Sequence, residues 1–457
     1  MEETSKKSTA LANNLTRRDV VKGIGATGAA AGSVATFGRR ASAQSKGPLT
    51  VTIWTNDDPA QTAWYQKRAR LFNDAHPNIK VDPQRFPAGE LGKKVSIGFA
   101  TGTAPEGFLT FDFFMPVWLD KNLLAPLDVQ RLGYASIDGF KDDHPSAALS
   151  SVVKDGKVYG LPTWFHAFSN WINTKHFKEV GLDADKHAPQ TWEQFGRVAT
   201  RLTIKGGNKF VRQGAKFAMH SPVWTMIQFN PILLQCGGAW FDANGKCTVN
   251  NEAGVRAMTL RASLVREYGA EDPADTVATN PLPMMDWLRE RTSMFLVHPV
   301  HPNAIKTQNP QMFAEGYYRA IPYPGLDPGK GYATTYGFVL TVNAQAPKEK
   351  QEALHDFYKF FMAEPLEVWK ETAPFAHIRR AGGWQQDPAV TSFPNAKWLL
   401  QSREEGVALP RTLVFNELAD AMHRAVQKVV LNNADIRGSL NEAAAEVDRA
   451  TAAYRRS

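Results

Sequence analysis

The sequence predicts an α/β protein, and three observations near its start carry that prediction. Leu49, Val51 and Ile53 alternate with Thr50 and Thr52, the period-two pattern of a strand with one apolar face. Trp64, Arg68, Leu71 and Phe72 then fall at i, i+4, i+7 and i+8, an amphipathic helix that His76-Pro77 ends. Ile79-Lys80-Val81 follows as a second strand. Strand, helix, strand in that order is a βαβ unit, whose two strands are parallel and whose crossover is right-handed.

The later elements continue the pattern. Phe108–Phe111 is a further strand, and Asp155-Gly156 is a two-residue hairpin signal between Val152-Val153 and Val158-Tyr159. Thr191 with Gln194 forms a capping box ahead of Phe195, Val198, Ala199 and Leu202 at helical spacing. Leu354, Phe357 and Phe361 mark another helix. Ser439 with Glu442 caps the last, along which Leu440, Ala444, Val447, Thr451 and Tyr454 form a stripe. No internal repeat or low-complexity linker follows residue 48, so any two lobes are joined by short crossings rather than a tether.

At 457 residues the chain has length for two or three domains at roughly 150 residues each. Its 12 Trp, 11 Tyr and 26 Phe, with 21% charged residues, exclude a disordered chain and a polytopic membrane protein alike. Half of the formal charge of +8 belongs to residues 1–43, and the remainder contains no Lys/Arg block. Nucleic acid is therefore not an expected partner.

Residues 1–43 form the expected signal peptide. Thr16-Arg17-Arg18-Asp19-Val20-Val21-Lys22 precedes a weakly apolar Gly/Ala run, Gly23 to Phe37, then Arg39-Arg40 and Ala41-Ser42-Ala43. That run is shorter than the roughly 20 residues a bilayer-spanning helix requires. The leader resembles a twin-arginine signal cleaved after Ala43, which implies a periplasmic protein; the alternative is an uncleaved anchor. Gly23-Ile24-Gly25-Ala26-Thr27-Gly28 matches G-x-G-x-x-G, but no strand precedes it, so it is not a dinucleotide site. Cys236 and Cys247 are the only cysteines; a disulfide and two buried thiols both remain open. A hairpin turning at Ala243-Asn244 would set Cys247 opposite Trp240 rather than Cys236. No haem or cluster motif is present, and no cofactor is expected.

The order of motifs resembles the family 1 extracellular solute-binding proteins of ABC transporters, the group containing maltodextrin-binding and glycerol-phosphate-binding proteins. The resembling segments begin with Val51-Thr52-Ile53-Trp54, Phe72-Asn73 with His76–Val81, Ala100–Pro105 with Leu124–Asp128, and Asp155–Pro162. They continue through Trp171–Thr174, Pro189–Phe195, Gly237-Gly238 with Phe241-Asp242 and Gly245-Lys246, and Tyr336–Leu340. The resemblance covers essentially the whole chain beyond the leader. It implies a two-lobed periplasmic-binding-protein fold of type II, with mixed sheets flanked by helices. Lobe 1 is expected from residues 48–161 plus 293–334, and lobe 2 from 162–292 plus 335–457. Hinge crossings are expected near Leu161-Pro162, Arg291–Ser293 and Thr334–Gly337.

Ligands of open α/β sheets bind beyond the carboxyl ends of strands. That rule selects Trp54 to Asp58, then Asp112, Phe113 and Phe114, then Thr163, Trp164, Phe165 and His166. Flat aromatic faces beside short donors and acceptors suit a polyol, whose C–H faces stack and whose hydroxyls bond to planar side chains. Matched by position, the resemblance implicates Asn56, Asp57, Thr110, Asp112, Trp164, Trp224 or Phe229, His298, Tyr336 and Arg379. With Phe113 and His166 these are the candidate ligand-binding residues.

Each has a plainer alternative. Asp57 and Asp58 would cap the following helix. Trp54, Trp118, Trp171 and Trp192 are core or hinge packing. Arg379-Arg380 would be a solvated pair. His298-Pro299-Val300-His301 has a metal-like spacing, but its prolines bar a regular helix and no carboxylate or Cys lies nearby, so no metal is expected.

The function implied is capture of a carbohydrate or polyol outside the cytoplasmic membrane by a soluble monomer, which delivers it to the transmembrane subunits of an ABC permease. No chemistry on the ligand is required. The rivals are a secreted carbohydrate-active hydrolase, for which Asp57 with Asp112 could supply two carboxylates, a module for sensing rather than transport, and a receptor for an anionic sugar or glycerol phosphate. The chain beyond the leader contains no G-x-S-x-G, H-E-x-x-H or P-loop.

Overall fold

The computed structural model describes residues 47–456 apart from 277–282, 301, 373–378 and 394. The twin-arginine motif, the cleavage site after Ala43 and His301 lie outside the described residues. In chain order the strands are β1 (Leu49–Asn56), β2 (Ile79–Phe86), β3 (Gly107–Phe111), β4 (Val153–Lys154), β5 (Lys157–Val158), β6 (Leu161–Ala167), β7 (Ser169–Asn173), β8 (Ile204–Gly206), β9 (Lys209–Phe217), β10 (Thr292–Val297), β11 (Tyr318–Ile321), β12 (Thr334–Val342) and β13 (Val407–Ala408).

β1 pairs in parallel with β2, Leu49 opposite Ile79, as the βαβ pattern requires. The intervening helix α1 (Pro59–Ala75) is capped by Asp58, whose carboxylate accepts the Gln61 N–H at 2.9 Å, and Pro59 occupies its first turn. Its inward face is Trp64, Tyr65, Arg68 and Phe72. Leu71, expected on that face, is exposed at its edge. Arg68 is buried because its guanidinium lies 3.9 Å from the Phe360 ring and pairs with Glu364 at 2.6 Å.

The hairpin β4–β5 turns at Asp155 and Gly156, both at positive φ. The capping box of Thr191 and Gln194 opens the helix Trp192–Leu202. The final helix, Ile436–Tyr454, begins earlier than expected: Asp435 caps it by accepting the Gly438 N–H, and Ser439 bonds back to the Asp435 carbonyl inside the first turn. Cys236 and Cys247 are free and buried, and Cys247 bridges to Phe241, one position from the expected Trp240.

Two mixed sheets organise the molecule. The first has the order β13-β12-β3-β1-β2, with β6 also paired to β12. The second has the order β11-β7-β10-β9-β8. Each sheet faces its own core. The first buries Val51, Ile53, Phe108, Leu340, Phe357 and Phe361; the second buries Phe195, Phe217, Met294, Leu418 and Val447. Among the described residues no helix is long and apolar enough to cross a membrane.

The sheet partners correct the expected lobe boundaries. β10 and β11 lie in the second sheet and β6, β12 and β13 in the first, so residues 162–167, 293–321, 335–342 and 407–408 each join the lobe opposite to the one expected. The physical reason is pairing: all seven residues of β6 are buried, and it runs antiparallel to β12. The chain therefore leaves the first sheet at Phe168, after β6, rather than at Leu161-Pro162. It returns between β11 and β12, ahead of Thr334. A third passage follows β13, into the helix Phe415–Asn432 of the second core. No crossing occurs at Arg291–Ser293, because β9 and β10 are parallel neighbours in one sheet.

Candidate functional site

The crossings and the strand ends beside them place one continuous row of rings at the boundary of the two lobes. At its centre Phe168, the single residue between β6 and β7, donates its N–H to the Thr334 carbonyl at 3.3 Å, so two crossings are bonded to each other. Its ring centroid lies 5.8 Å from Tyr336, 5.3 Å from Trp224 and 6.5 Å from His298. Tyr336 meets His166 edge-on at 4.7 Å and Phe111 at 6.3 Å. Phe111 lies 4.8 Å from Phe338, and Trp224 lies 5.4 Å from His298 and 5.5 Å from His220. The row thus draws on β3, β6 and β12 of one lobe, and on the end of β10 and the first turn of the helix Pro222–Gln235 of the other.

Beneath the row, Asp112 joins three chain segments. One carboxylate oxygen accepts the Gly337 N–H at 3.2 Å, and the other pairs with Arg411 at 2.9 Å. Burial raises the Asp112 carboxyl pKa, even against the pull of the Arg411 guanidinium. Gly337 is required here, since a Cβ would collide with the Phe165 ring and the Trp164 carbonyl where β6 and β12 converge.

Burial pushes each imidazole of the row toward its neutral form. Burial lowers His166 to about 3, with His298 adding to the effect, and lowers His220 to about 4, with Lys216, His423 and His298 adding. Burial also lowers His298, against the Pro299 carbonyl and the charge of Asp58. The Tyr336 phenol is pushed well up by burial, then by Asp58 and Asp112. A neutral imidazole offers one donor and one acceptor, so in that form the row presents hydrogen-bonding edges and apolar faces without net positive charge from histidine. Among the described residues no group of three His, Cys, Asp or Glu side chains converges as metal ligands.

A cavity of about 480 Å³ adjoins the row. It is walled by Phe111 and Phe338 of the row, by Asn56, Thr110 and Trp118, and by Val223 and Asn416 from the other lobe. Asn56 donates to Gln61 Oε1 at 2.8 Å, and Thr110 Oγ1 accepts the Trp118 indole N–H at 3.1 Å.

Of the expected site residues, His166, Trp224, His298 and Tyr336 come together in the row, with Asp112 below it and Asn56 and Thr110 on the cavity wall. Asp57 is exposed, while its neighbour Asp58 faces His298 and Tyr336. Three expected residues lie elsewhere. Trp164 is 1% exposed, its ring turned into the first core and held edge-on by Tyr65 at 5.5 Å and Phe361 at 5.7 Å. Phe113 is sandwiched between Phe111 and Phe415 at 5.1 and 4.6 Å in the second core. Arg379 pairs with Asp143 at 2.6 Å over the Tyr134 ring, away from the row. The alternative Phe229 is fully buried beside Trp240.

Sequence reasoning did not select Phe168, His220 or Arg411. His220 carried a signal, since Ser221-Pro222 is a helix start and the residue before it sits at the helix mouth. Nothing local marks Arg411, whose partner Asp112 is 299 positions away.

Comparison with known proteins gives concordant results. A putative binding protein of Brucella abortus is 22% identical over 389 residues, 84% of this chain and 89% of that protein. A probable amino-acid ABC transporter periplasmic-binding protein of Sinorhizobium fredii is 30% identical over 211 residues, 46% of this chain and 47% of that protein. Among solved structures, the GacH receptor of Streptomyces glaucescens, studied unliganded and with acarbose, superposes with a TM-score of 0.72 at 22% identity, covering 89% of this chain and 98% of the receptor. That likeness shows the two-lobed periplasmic-binding-protein fold. Residues 56–365 match the family model of bacterial extracellular solute-binding proteins, and since this is well over half of the sequence, the chain belongs to that family, whose members bind a solute rather than convert it.

Proposed function

We propose that the chain is the extracytoplasmic receptor of an ABC importer, which closes its two lobes on a neutral sugar or sugar-like polyol and presents it to the transmembrane subunits of the permease. The observation that carries this reading is the row of rings at the lobe boundary, its imidazoles pushed toward their neutral form. The Trp224 ring, partly exposed and backed by Phe168 and Tyr336, suits the C–H face of a pyranose, and the partly exposed His298 and Asp58 suit its hydroxyls. A guest that touches Asn56 and Phe111 on one side and Trp224 and His298 on the other gains contacts only when the lobes approach. That difference in affinity shifts the population toward the closed form. The leader supports export by the twin-arginine route, with cleavage after Ala43 and a periplasmic product.

The rival readings draw less support. Arg379 is engaged with Asp143 away from the row, while Arg411 pairs with Asp112 through Nη2 and has no partner for Nε and Nη1 among the described residues, so the screen keeps an anionic arm. Asp57 is exposed and Asp112 is tied to Arg411 and the Gly337 N–H, so the two do not form an acid and a base facing one bond. The Sinorhizobium relative motivates an amino-acid arm in the test. A thermal-shift screen should include neutral mono- and oligosaccharides, polyols, sugar acids, glycerol phosphates and amino acids, with hits confirmed by calorimetry and chromatography. We expect a neutral carbohydrate to raise the melting temperature and be recovered intact. A response confined to amino acids or anions, or recovery of cleaved sugar, would overturn the assignment.

A further inference from the structure

We propose that the cavity beside the aromatic row is a second subsite for an apolar ring, so that the guest is a glycoside with an aromatic aglycone rather than a bare sugar. This rests on the reading of the row as a sugar site. The cavity, about 480 Å³, lies in the range of roughly 300–1,000 Å³ typical of small-molecule pockets. Its wall is formed by one face of the helix α2 (Ala88–Thr101) opposite β3, with Leu91 and Val95 on the helix facing Phe108, Phe111 and Trp118. These are surfaces that favour a flat apolar group. Of the polar side chains on its wall, Lys93, Ser96 and Asn416 are exposed and Thr110 accepts the Trp118 indole N–H, which leaves Asn56 as the buried one with an unpaired atom. It is 2% exposed, and its Oδ1 has no hydrogen-bond partner among the described residues, although its amide donates to Gln61. A buried acceptor left unpaired is destabilising, so its position calls for a donor. A sugar hydroxyl at the junction between the row and the cavity supplies one.

The helix itself leaves the space open. Gly92 and Ser96 stand one turn apart on the cavity wall, and a Cβ at Gly92 would meet no heavy atom within 4 Å. Glycine inside a helix is less favourable than alanine, and no close packing at position 92 explains its use there. Omission of a side chain at this point preserves the volume that the ring occupies.

The test compares methyl and phenyl glycosides of glucose, galactose, mannose and arabinose by calorimetry, using the full chain and its Gly92→Leu and Ser96→Trp variants. Ser96 is exposed, so its replacement leaves the core untouched; circular dichroism verifies the fold of both. In at least one sugar series the phenyl glycoside should bind at least tenfold more tightly than the methyl glycoside. The variants should cut that advantage below threefold while leaving the methyl glycoside's affinity within twofold. Equal affinity of phenyl and methyl forms in every series that binds would overturn the subsite and leave the sugar reading standing. A phenyl advantage that survives both variants would place the ring elsewhere and overturn it equally. Absence of binding by all of these sugars, with a response to another solute class, would remove the sugar reading and the subsite together.

Discussion

Trp224 and Trp164 illustrate how one residue type serves two purposes in this molecule. Trp224 is partly exposed in the first turn of its helix and shares its ring contacts with Phe168, His220 and His298. Trp164 is enclosed by Tyr65 and Phe361. Trp224→Ala should weaken sugar binding at least tenfold, read by calorimetry, with little change in the urea midpoint. Trp164→Ala should cost about 3–5 kcal/mol of folding stability, read by urea unfolding, as for other large-to-small core changes. The histidines yield a pH prediction at the same scale. His166 is held near 3 and His220 near 4, below the ordinary 6.5, so the unfolded chain binds protons that the native one does not. Their contribution is complete above pH 6.5 and is lost as pH falls toward 3. His166→Gln should therefore flatten the stability profile between pH 6.5 and 4 by about one proton, roughly 1.4 kcal/mol per pH unit.

At the scale of elements, the hinge is a set of bonds between crossings. Asp112 links β3 to β12 through the Gly337 N–H and to the segment after β13 through Arg411. Asn230, on the helix Pro222–Gln235, donates to Thr334 Oγ1 at 3.0 Å and to the Ala408 carbonyl at 3.2 Å, while its own Oδ1 accepts the Trp240 indole N–H. Asp112→Ala strands Arg411 and should destabilise the fold by about 3–5 kcal/mol in urea unfolding. Asp112→Asn retains an acceptor for the Gly337 N–H and should recover part of that loss. The local devices here were legible in the sequence: the Asp155-Gly156 turn, the Thr191 capping box and the α1 stripe are each encoded within a few residues. Sheet membership was not. β10 is an apolar run that fits either sheet, and its place between β7 and β9 is decided by pairing with strands more than 70 positions away. The same nonlocality hid Arg411 and led the strand-end rule to take Trp164, which lies on a wholly buried strand, for a cleft residue.

For the molecule as a whole, two sheets with separate cores are joined by three passages of the chain. The rings of the row belong to both lobes, so a guest that touches both is expected to couple its binding to closure. Family membership and the order of motifs along the chain had already pointed to this architecture, while the composition of the cleft distinguishes the guest. The account's central claim is most directly tested by small-angle X-ray scattering of the full chain, with and without a saturating carbohydrate identified by the thermal-shift screen. It predicts a smaller radius of gyration in the bound state, reversed when the sugar is dialysed away intact. An unchanged radius at saturation would contradict closure of the two lobes on their guest.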